Sequence, residues 1–337
     1  MKLVIKIMDF LSTLKLSSSS SKEYQDQISV LDCGYVRLVD FSPRICPEGC
    51  NPEFRIAEAA RISTGKSHRS MAEDAKLIEY LYRNKHTSPF EMCHVQIELY
   101  LPIAIAVHFL RHRSGAYNQS STRYAEVIKD DFYDPLAWEC GVRTKNTINK
   151  QGSILLPPTT TNNSITSVSD NNSNDSQHKQ RQEIVDLLTK ANEITKLQYE
   201  SYKQLVSAGL ATEIARFYLP ASLYTNLLIK FDLNNLLKML RLRCDKHAQL
   251  ETQSYANAIV ELCKPIFPTT FALWQLETDS MILYPDEIMA IQSDCQSLDT
   301  TTSVSRKLEF ETKRSRLYKK QDEGDKEDKE DKEEKSV

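Results

Sequence analysis

From His94 to Leu101 apolar and polar residues alternate without a break: Val95, Ile97, Leu99 and Leu101 one way, His94, Gln96, Glu98 and Tyr100 the other. A period of two is the mark of a strand with one face in a core and the other outside it. Pro102 follows, where a fixed φ and a missing N–H suit the start of a helix. Ile103 to about Arg111 then reads as a short apolar helix. A strand that runs straight into such a helix has to be covered by other layers, so the chain is expected to be α+β.

The flanking segments supply those layers. Val30, Tyr35, Val36 and Leu38, among turn residues between Ile28 and Phe41, predict a strand pair. Asn51 as cap and Pro52 in a first turn predict a helix through Ile62. Ser70-Met-Ala-Glu73 is a capping box, followed by the stripe Leu77, Ile78, Leu81 and Tyr82. Further on, Ile184, Leu187, Leu188, Ala191, Ile194, Tyr202 and Leu205 outline one face of a long helix that Gly209 ends. Ser222 to Phe231 is strand-like, and Asp232 is a good N-cap for a helix through Arg243. Another helix covers about His247 to Cys263. Helices outnumber strands and there is no βαβ alternation, which describes a single helix-rich domain with a small sheet.

Composition divides the 337 residues unevenly. Residues 1–27 join a Lys-interrupted apolar stretch to the run Ser17 to Ser21 and read as a disordered extension. A mitochondrial presequence is the rival, but the segment has no Arg and carries Asp9. Residues 157–179 contain a Thr/Asn/Ser tract that buries too little apolar surface to offset its ordering entropy, and read as a disordered insertion. Residues 291–337 turn polar and then almost wholly Asp, Glu and Lys, a charged disordered tail. The domain is therefore 28–290 with that insertion, about 240 folded residues, ordinary for one domain. Eight scattered cysteines read as reduced thiols of an intracellular, cytoplasmic protein. Cys46 and Cys50 share a loop, but no second pair with zinc spacing follows. No apolar run of about 18 residues is present to cross a membrane. The formal net charge of −3 argues against a nucleic-acid partner, since phosphate neutralisation needs a basic face.

The densest polar stretch is Arg111-His112-Arg113-Ser114-Gly115-Ala116-Tyr117-Asn118-Gln119-Ser120-Ser121-Thr122-Arg123-Tyr124. Two arginines and a histidine at a helix C-terminus can simply complement its dipole. That explains neither the hydroxyls and amides nor the third arginine. Planar guanidinium forks beside Ser, Thr and Gln suit a phosphate or the edge of a uracil-like ring.

Arg-His-Arg, seven residues and then Ser121 match the signature of the flavin-dependent thymidylate synthases, which this chain resembles. Other segments in the same order strengthen the likeness: Ile28 to Tyr35, Ala59 to Ser63, Leu77 to Leu81, His86 to Glu91, Arg216 to Thr225, Asp232 to Leu236 and Leu240 to Gln249. The resemblance implies a mostly antiparallel sheet and a homotetramer whose active sites draw on several subunits. It implies methylation of dUMP to dTMP, with FAD as cofactor and NADPH and methylenetetrahydrofolate as co-substrates. Ser63, Ser88, Arg111, His112, Arg113, Gln119, Asp232, Leu233, Asn234 and Lys238 would then contact FAD. His108, Arg111, Gln119, Ser120, Ser121, Thr122, Arg123, Arg216 and Arg243 would hold dUMP. Arg243 and Ser121 would be catalytic, the guanidinium stabilising charge as uracil N3 loses its proton. His108 stands where many relatives have Gln, Gln119 where Glu is common, Thr122 where Gly is frequent; Asp232 replaces Asn, and Lys238 an Asn or His.

Other readings of these residues fare less well. His108 and His112 have metal-ligand spacing on a helix, with no third ligand apparent nearby. Ser121 with His112 lacks the strand–turn–helix elbow of a hydrolase. Cys93 enters an alternating strand and reads as a packed small hydrophobe, not a nucleophile. Alone, Arg216 would be a solvated charge, and Ser63 and Ser88 turn residues. The runner-up function is a non-catalytic nucleotide- or RNA-binding protein that uses the basic Ser/Arg loop.

Overall fold

A computed structural model of the protein describes residues 26–62, 65, 70–127, 129–146, 152–156, 171–279, 285–292, 307 and 310–315. The extension's residues 1–25, the insertion's residues 157–170 and most of the charged tail lie outside this set. Up to Trp274 the chain forms one compact unit; a second begins at Gln275.

The first unit is built on a five-stranded antiparallel sheet in the order β1-β2-β3-β7-β4. The strands are β1 (Gln27–Val30), β2 (Gly34–Ser42), β3 (His94–Pro102), β4 (Ala116–Gln119) and β7 (Tyr224–Asp232). A separate hairpin pairs β5 (Arg143–Lys145) with β6 (Ser153–Leu155). The alternating segment is the central strand: β3 pairs with β7 along its whole length, from His94↔Asp232 to Pro102↔Tyr224. Its inward set, Val95, Ile97, Leu99 and Leu101, is buried as the pattern requires. Tyr100 departs from that pattern. It belongs to the outward set yet is only 3% exposed, because Tyr35 and Tyr224 stack on either side with ring centroids at 5.5 and 5.0 Å. Its hydroxyl donates to Asp131 at 2.7 Å.

Helices cover the inward face. They are α1 (Phe54–Arg61), α2 (Met71–Arg83), α3 (Ile103–Leu110), α6 (Leu233–Arg243) and α7 (Leu250–Cys263). Ile105, Ala106 and Phe109 of α3, Leu233, Leu236 and Leu240 of α6, and Tyr255, Ile259 and Leu262 of α7 join the sheet residues in one core. At roughly 1.5–3 kcal/mol for each fully buried large apolar side chain, this layer is the main driving force for the fold. Gly34, after the β1–β2 turn, is needed by contact: a Cβ there would lie 2.0 Å from the Tyr255 hydroxyl and 2.7 Å from the Tyr100 carbonyl.

The local start signals operate as the residues dictate. Ser70 accepts from the Glu73 amide at 3.3 Å, and Asp232 caps α6 by accepting from the Asn235 amide at 2.9 Å. The first helix starts later than Asn51 and Pro52 suggest, at Phe54, because Asn51 Oδ1 engages the Glu53 amide and the first turn is not yet α-helical.

The long helix α4 (Asn171–Ser207) ends before Gly209, which has φ +88. It begins inside the 157–179 segment; extending an established helix by further residues is far cheaper than nucleating one. Its buried face is also rotated from the expected stripe. Tyr199 and Tyr202 pack with Val127, Phe132 and Leu205, and Tyr199 donates to Asp130 at 2.8 Å. Asn192 donates to Asp134 at 2.8 Å. These partners draw in the tyrosines and the amide, leaving Leu187, Ala191, Ile194 and Leu197 outside. The short helix α5 (Thr212–Ala215) and a 3-10 turn, Arg216–Tyr218, follow.

In the second unit, helix α9 (Pro285–Gln292) presents the buried Glu287, whose carboxylate accepts from Lys313 Nζ at 3.0 and 3.1 Å. Residues 310–315 are helical and Phe310 is buried. This short part of the 291–337 segment is thus helical, with Phe310 buried and Lys313 paired with Glu287. Among the described residues no helix is long and apolar enough to cross a membrane.

Helix α8 (Pro268–Asp279) starts with an unusual cap. Glu53, 1% exposed and far away in sequence, accepts from the amides of Thr269 at 2.9 Å and Thr270 at 2.6 Å. Glu53→Ala would strand both amides in a dry site. The expected cost is about 2–4 kcal/mol, seen as a lower urea midpoint at unchanged m-value. An unchanged midpoint would show that the cap contributes nothing.

Candidate active site

The polar loop is held between two elements of the sheet layer. Helix α3 ends at Leu110, with Arg111 as C-cap, and the chain turns back into β4, an edge strand on β7. The turn presses on the Phe231 ring: a Cβ on Gly115 would lie 2.5 Å from it. Tyr117 packs edge-on against the same ring at 5.8 Å and donates its hydroxyl to the His112 carbonyl. Burial pushes that phenol up to about 12, so it stays a donor. The Ser120 amide donates to the Asn226 carbonyl at 3.0 Å, and the Arg123 amide to Ser121 Oγ at 3.3 Å.

Helix α6 approaches this loop from the other end of the sheet and delivers Arg243. Its Nε donates to His112 Nε2 at 2.9 Å, and its Nη2 to the His108 carbonyl at 2.8 Å. Two motifs separated by about 130 residues thus meet through one guanidinium. His112 must be unprotonated at Nε2 to accept. Burial, and then the Arg243 charge, bring its value from the ordinary 6.5 down to about 4. Burial and neighbouring Arg111 also lower Arg243. His108 is lowered by burial, Arg243 and Arg111, against the opposing pull of Glu251.

Most arginines elsewhere in the first unit find carboxylates, Arg37 with Glu98, Arg44 with Asp40, Arg55 with Glu58, Arg61 with Asp74, Arg83 with Glu79 and Arg143 with Glu251, while Arg181 donates to the Leu156 carbonyl. Arg111, Arg113, Arg216 and Arg243 have no carboxylate partner among the described residues. Arg111 and Arg113 are exposed; Arg216 lies over the exposed Phe217 ring at 5.8 Å. Unpaired guanidinium groups that repel one another are stabilised by an anion placed between them. This donor set suits phosphate and pyrophosphate groups.

The remaining expected residues are placed less centrally in a single chain. Gln119 is half-buried, with Nε2 3.5 Å from Thr225 Oγ1; Thr122 is half-buried and Ser120 exposed. Arg123 faces Glu213 at 3.7 Å, both exposed. Asp232 is engaged in capping, Leu233 is fully buried, and Asn234 donates to Glu91 at 3.1 Å. Ser88 and Lys238 are exposed. No hydrogen bond among the described residues links Ser88, Arg123, Arg216 or Lys238 to the Arg243 cluster. Ser63 lies outside the described residues. Gly115 and Tyr117, which shape the turn, sit inside the polar loop, whereas Thr252, which bonds His108, is a threonine in a helix and carries no such signal in the sequence.

An α+β layer that sets Arg111 and Arg243, without carboxylate partners, beside two histidines whose protonation is disfavoured defines a site suited to small anionic ligands. Residues 47–269 match the family described as thymidylate synthase complementing protein. A flavin-dependent thymidylate synthase of Dictyostelium discoideum is 38% identical over 294 residues, 87% of this chain and 88% of that protein. One from Treponema denticola is 35% identical over 270 residues, 79% and 89% of the two chains. A solved structure of the UMP/dUMP methylase PolB from Streptomyces cacaoi, bound with 5-Br dUMP, is similar at TM-score 0.55 and 25% identity, covering 74% of this chain and 97% of that one. The chain belongs to the flavin-dependent thymidylate synthase family.

The lowered histidines fix a pH response. An unfolded chain takes up protons near pH 6.5, whereas folded His112 resists them until about 4. The fold therefore loses stability as pH falls from about 6.5 to about 4, and no further from this source below that. His108 acts in the same direction. His112→Gln can still offer Arg243 an acceptor but has no proton to gain. Its urea midpoint should fall less than the wild-type midpoint between pH 7.5 and 5; equal falls would remove His112 as the source.

Proposed function

We propose that the protein methylates dUMP to dTMP, with FAD as the bound cofactor, methylenetetrahydrofolate as carbon donor and NADPH as reductant. The observation that carries this reading is the set of arginines without carboxylate partners, Arg111, Arg113, Arg216 and Arg243, on the segments that bear the family signature. Bound flavin supplies hydride chemistry. The protein's own residues bind, orient and hold charge. Arg111, His112 and Arg113, with Ser63, Ser88, Asp232, Leu233, Asn234 and Lys238 from neighbouring segments, take FAD. Gln119 to Arg123, His108, Arg111 and Arg216 take dUMP, Arg111 and Gln119 touching both ligands.

Arg243 is the catalytic cation. His112 and the His108 carbonyl fix two edges of its guanidinium, so its remaining donors have a set direction. Directed at the O2/N3 edge of uracil, they stabilise the negative charge left when N3 loses its proton, without reorganising at that moment. Ser121, steadied by the Arg123 amide, lies on the nucleotide side.

The active form is a homotetramer in a cytoplasmic setting. Apolar side chains left outside support self-association: Val107 and Leu110 on α3, Ile194 and Leu197 on α4, and Tyr124 and Phe217, which are 83% and 75% exposed beside the arginine loop. Exposed apolar groups grouped on a few elements are the usual substance of subunit contacts. A second copy would also bring outlying residues such as Lys238 to a shared site.

The purified protein should carry or accept FAD, show a flavin spectrum, bleach with NADPH faster when dUMP is present, and form dTMP. A colourless protein that cannot be loaded with FAD overturns the reading. Arg243→Ala should reduce dTMP formation by at least about a hundredfold while FAD stays bound. Wild-type turnover would remove the catalytic assignment of Arg243.

A further inference from the structure

Thr252 lies in the first turn of α7, fully buried, with Oγ1 2.9 Å from Nδ1 of His108. Its neighbour Glu251, 2% exposed, accepts from the Tyr133 hydroxyl at 2.9 Å and from Arg143. The first turn of α7 is thus pinned from outside the helix, and the threonine is set where the His108 ring must meet it. His108 has two connections here: its carbonyl holds Arg243 and its ring is held by Thr252.

The charged groups that act on this imidazole come from each element around it: Arg111 at the end of α3, Arg243 on α6 and Glu251 on α7. Two cations and burial outweigh one carboxylate, so the ring is neutral near pH 7. A neutral imidazole donates from one nitrogen and accepts at the other, and the partner of the first decides the role of the second. Among the described residues Oγ1 of the buried Thr252 has no hydrogen-bond partner other than His108 Nδ1, so accepting from that ring would strand its own proton in a dry site, whereas donating satisfies it. Donation to Nδ1 puts the ring proton on Nε2. The substrate side offers phosphate and carbonyl oxygens, which need donors.

We propose that Thr252 is a positioning residue: its hydroxyl donates to Nδ1 of His108 and fixes the Nε2–H tautomer, which gives dUMP a neutral donor beside Arg111 and Arg243. This rests on the dUMP reading of the site, while the tautomer can be measured without any turnover.

The full-length protein labelled with 15N-histidine should show His108, assigned by the signal lost in His108→Gln, with a protonated Nε2 and an unprotonated Nδ1 at pH 7.5. A protonated Nδ1 in the wild type overturns the proposal, whatever the activity. Thr252→Val keeps the shape and removes the hydroxyl. It should give a mixture of tautomers and raise KM for dUMP about tenfold, the loss of roughly one hydrogen bond, with kcat changed less than about twofold. Thr252→Ser should restore both the tautomer and KM, which a purely structural role for the side chain would not require. Wild-type KM and an unchanged tautomer in Thr252→Val overturn the assignment. A protein that makes no dTMP would instead overturn the dUMP reading, with the tautomer result standing separately.

Discussion

The β3–β7 pairing is the constraint on which the rest of the molecule depends. Each of these nine-residue strands passes without a loop into a helix, β3 into α3 and β7 into α6. Because the strands are antiparallel, the two helices start at opposite ends of the same ladder and run back over it toward each other. A nine-residue strand spans about 30 Å. Helices of eight and eleven residues cover about 12 and 16 Å, together nearly the length of the strand. Their C-terminal ends therefore meet over the sheet. The Arg243 contacts to His108 and His112 are the outcome of that arithmetic.

Two helix C-termini facing each other would concentrate unsatisfied carbonyls and partial negative charge in one place. Arg243 answers this directly by donating to the His108 carbonyl, while the backbone amide of Arg111, at the C-cap, donates to the Phe109 carbonyl. The same electrostatics explain how several guanidinium groups are tolerated together without carboxylates. The dipole ends moderate their repulsion, but fixed partial charges do not occupy the outward-facing donors, which remain for ligands. The His112 ring completes the balance by accepting from Arg243 without adding another charge.

Much of this was legible in the sequence where one residue's chemistry decides the outcome locally. The β3 alternation, the Ser70 and Asp232 caps and the Gly209 stop are of that kind. The polar loop reads from sequence as a ligand-binding stretch because a helix dipole accounts for so few of the donors that follow the apolar helix. What was hidden depends on partners remote in sequence. Tyr100 is buried by rings from β2 and β7, α4 turns its tyrosines inward to meet Phe132 and Asp130, and α8 is capped by a residue from the other end of the unit. Nothing near Thr252 or Glu53 announces either role. Ser88 and Lys238 illustrate the converse: likeness to a family singles them out, and the single chain places both on its surface.

The position of β4 has a consequence for how ligands come and go. It is four residues long, at the rim of the sheet, with β7 as its one partner strand. The core strands can stay paired while this rim opens, so the loop's exchange with solvent is governed by a local equilibrium shallower than global unfolding. Ligands that bridge β4 to the arginines would deepen that equilibrium by mass action. Under the proposed reading, in which more than one ligand meets this loop, such a rim lets occupancy set the order of the binding surface while the scaffold beneath it is undisturbed.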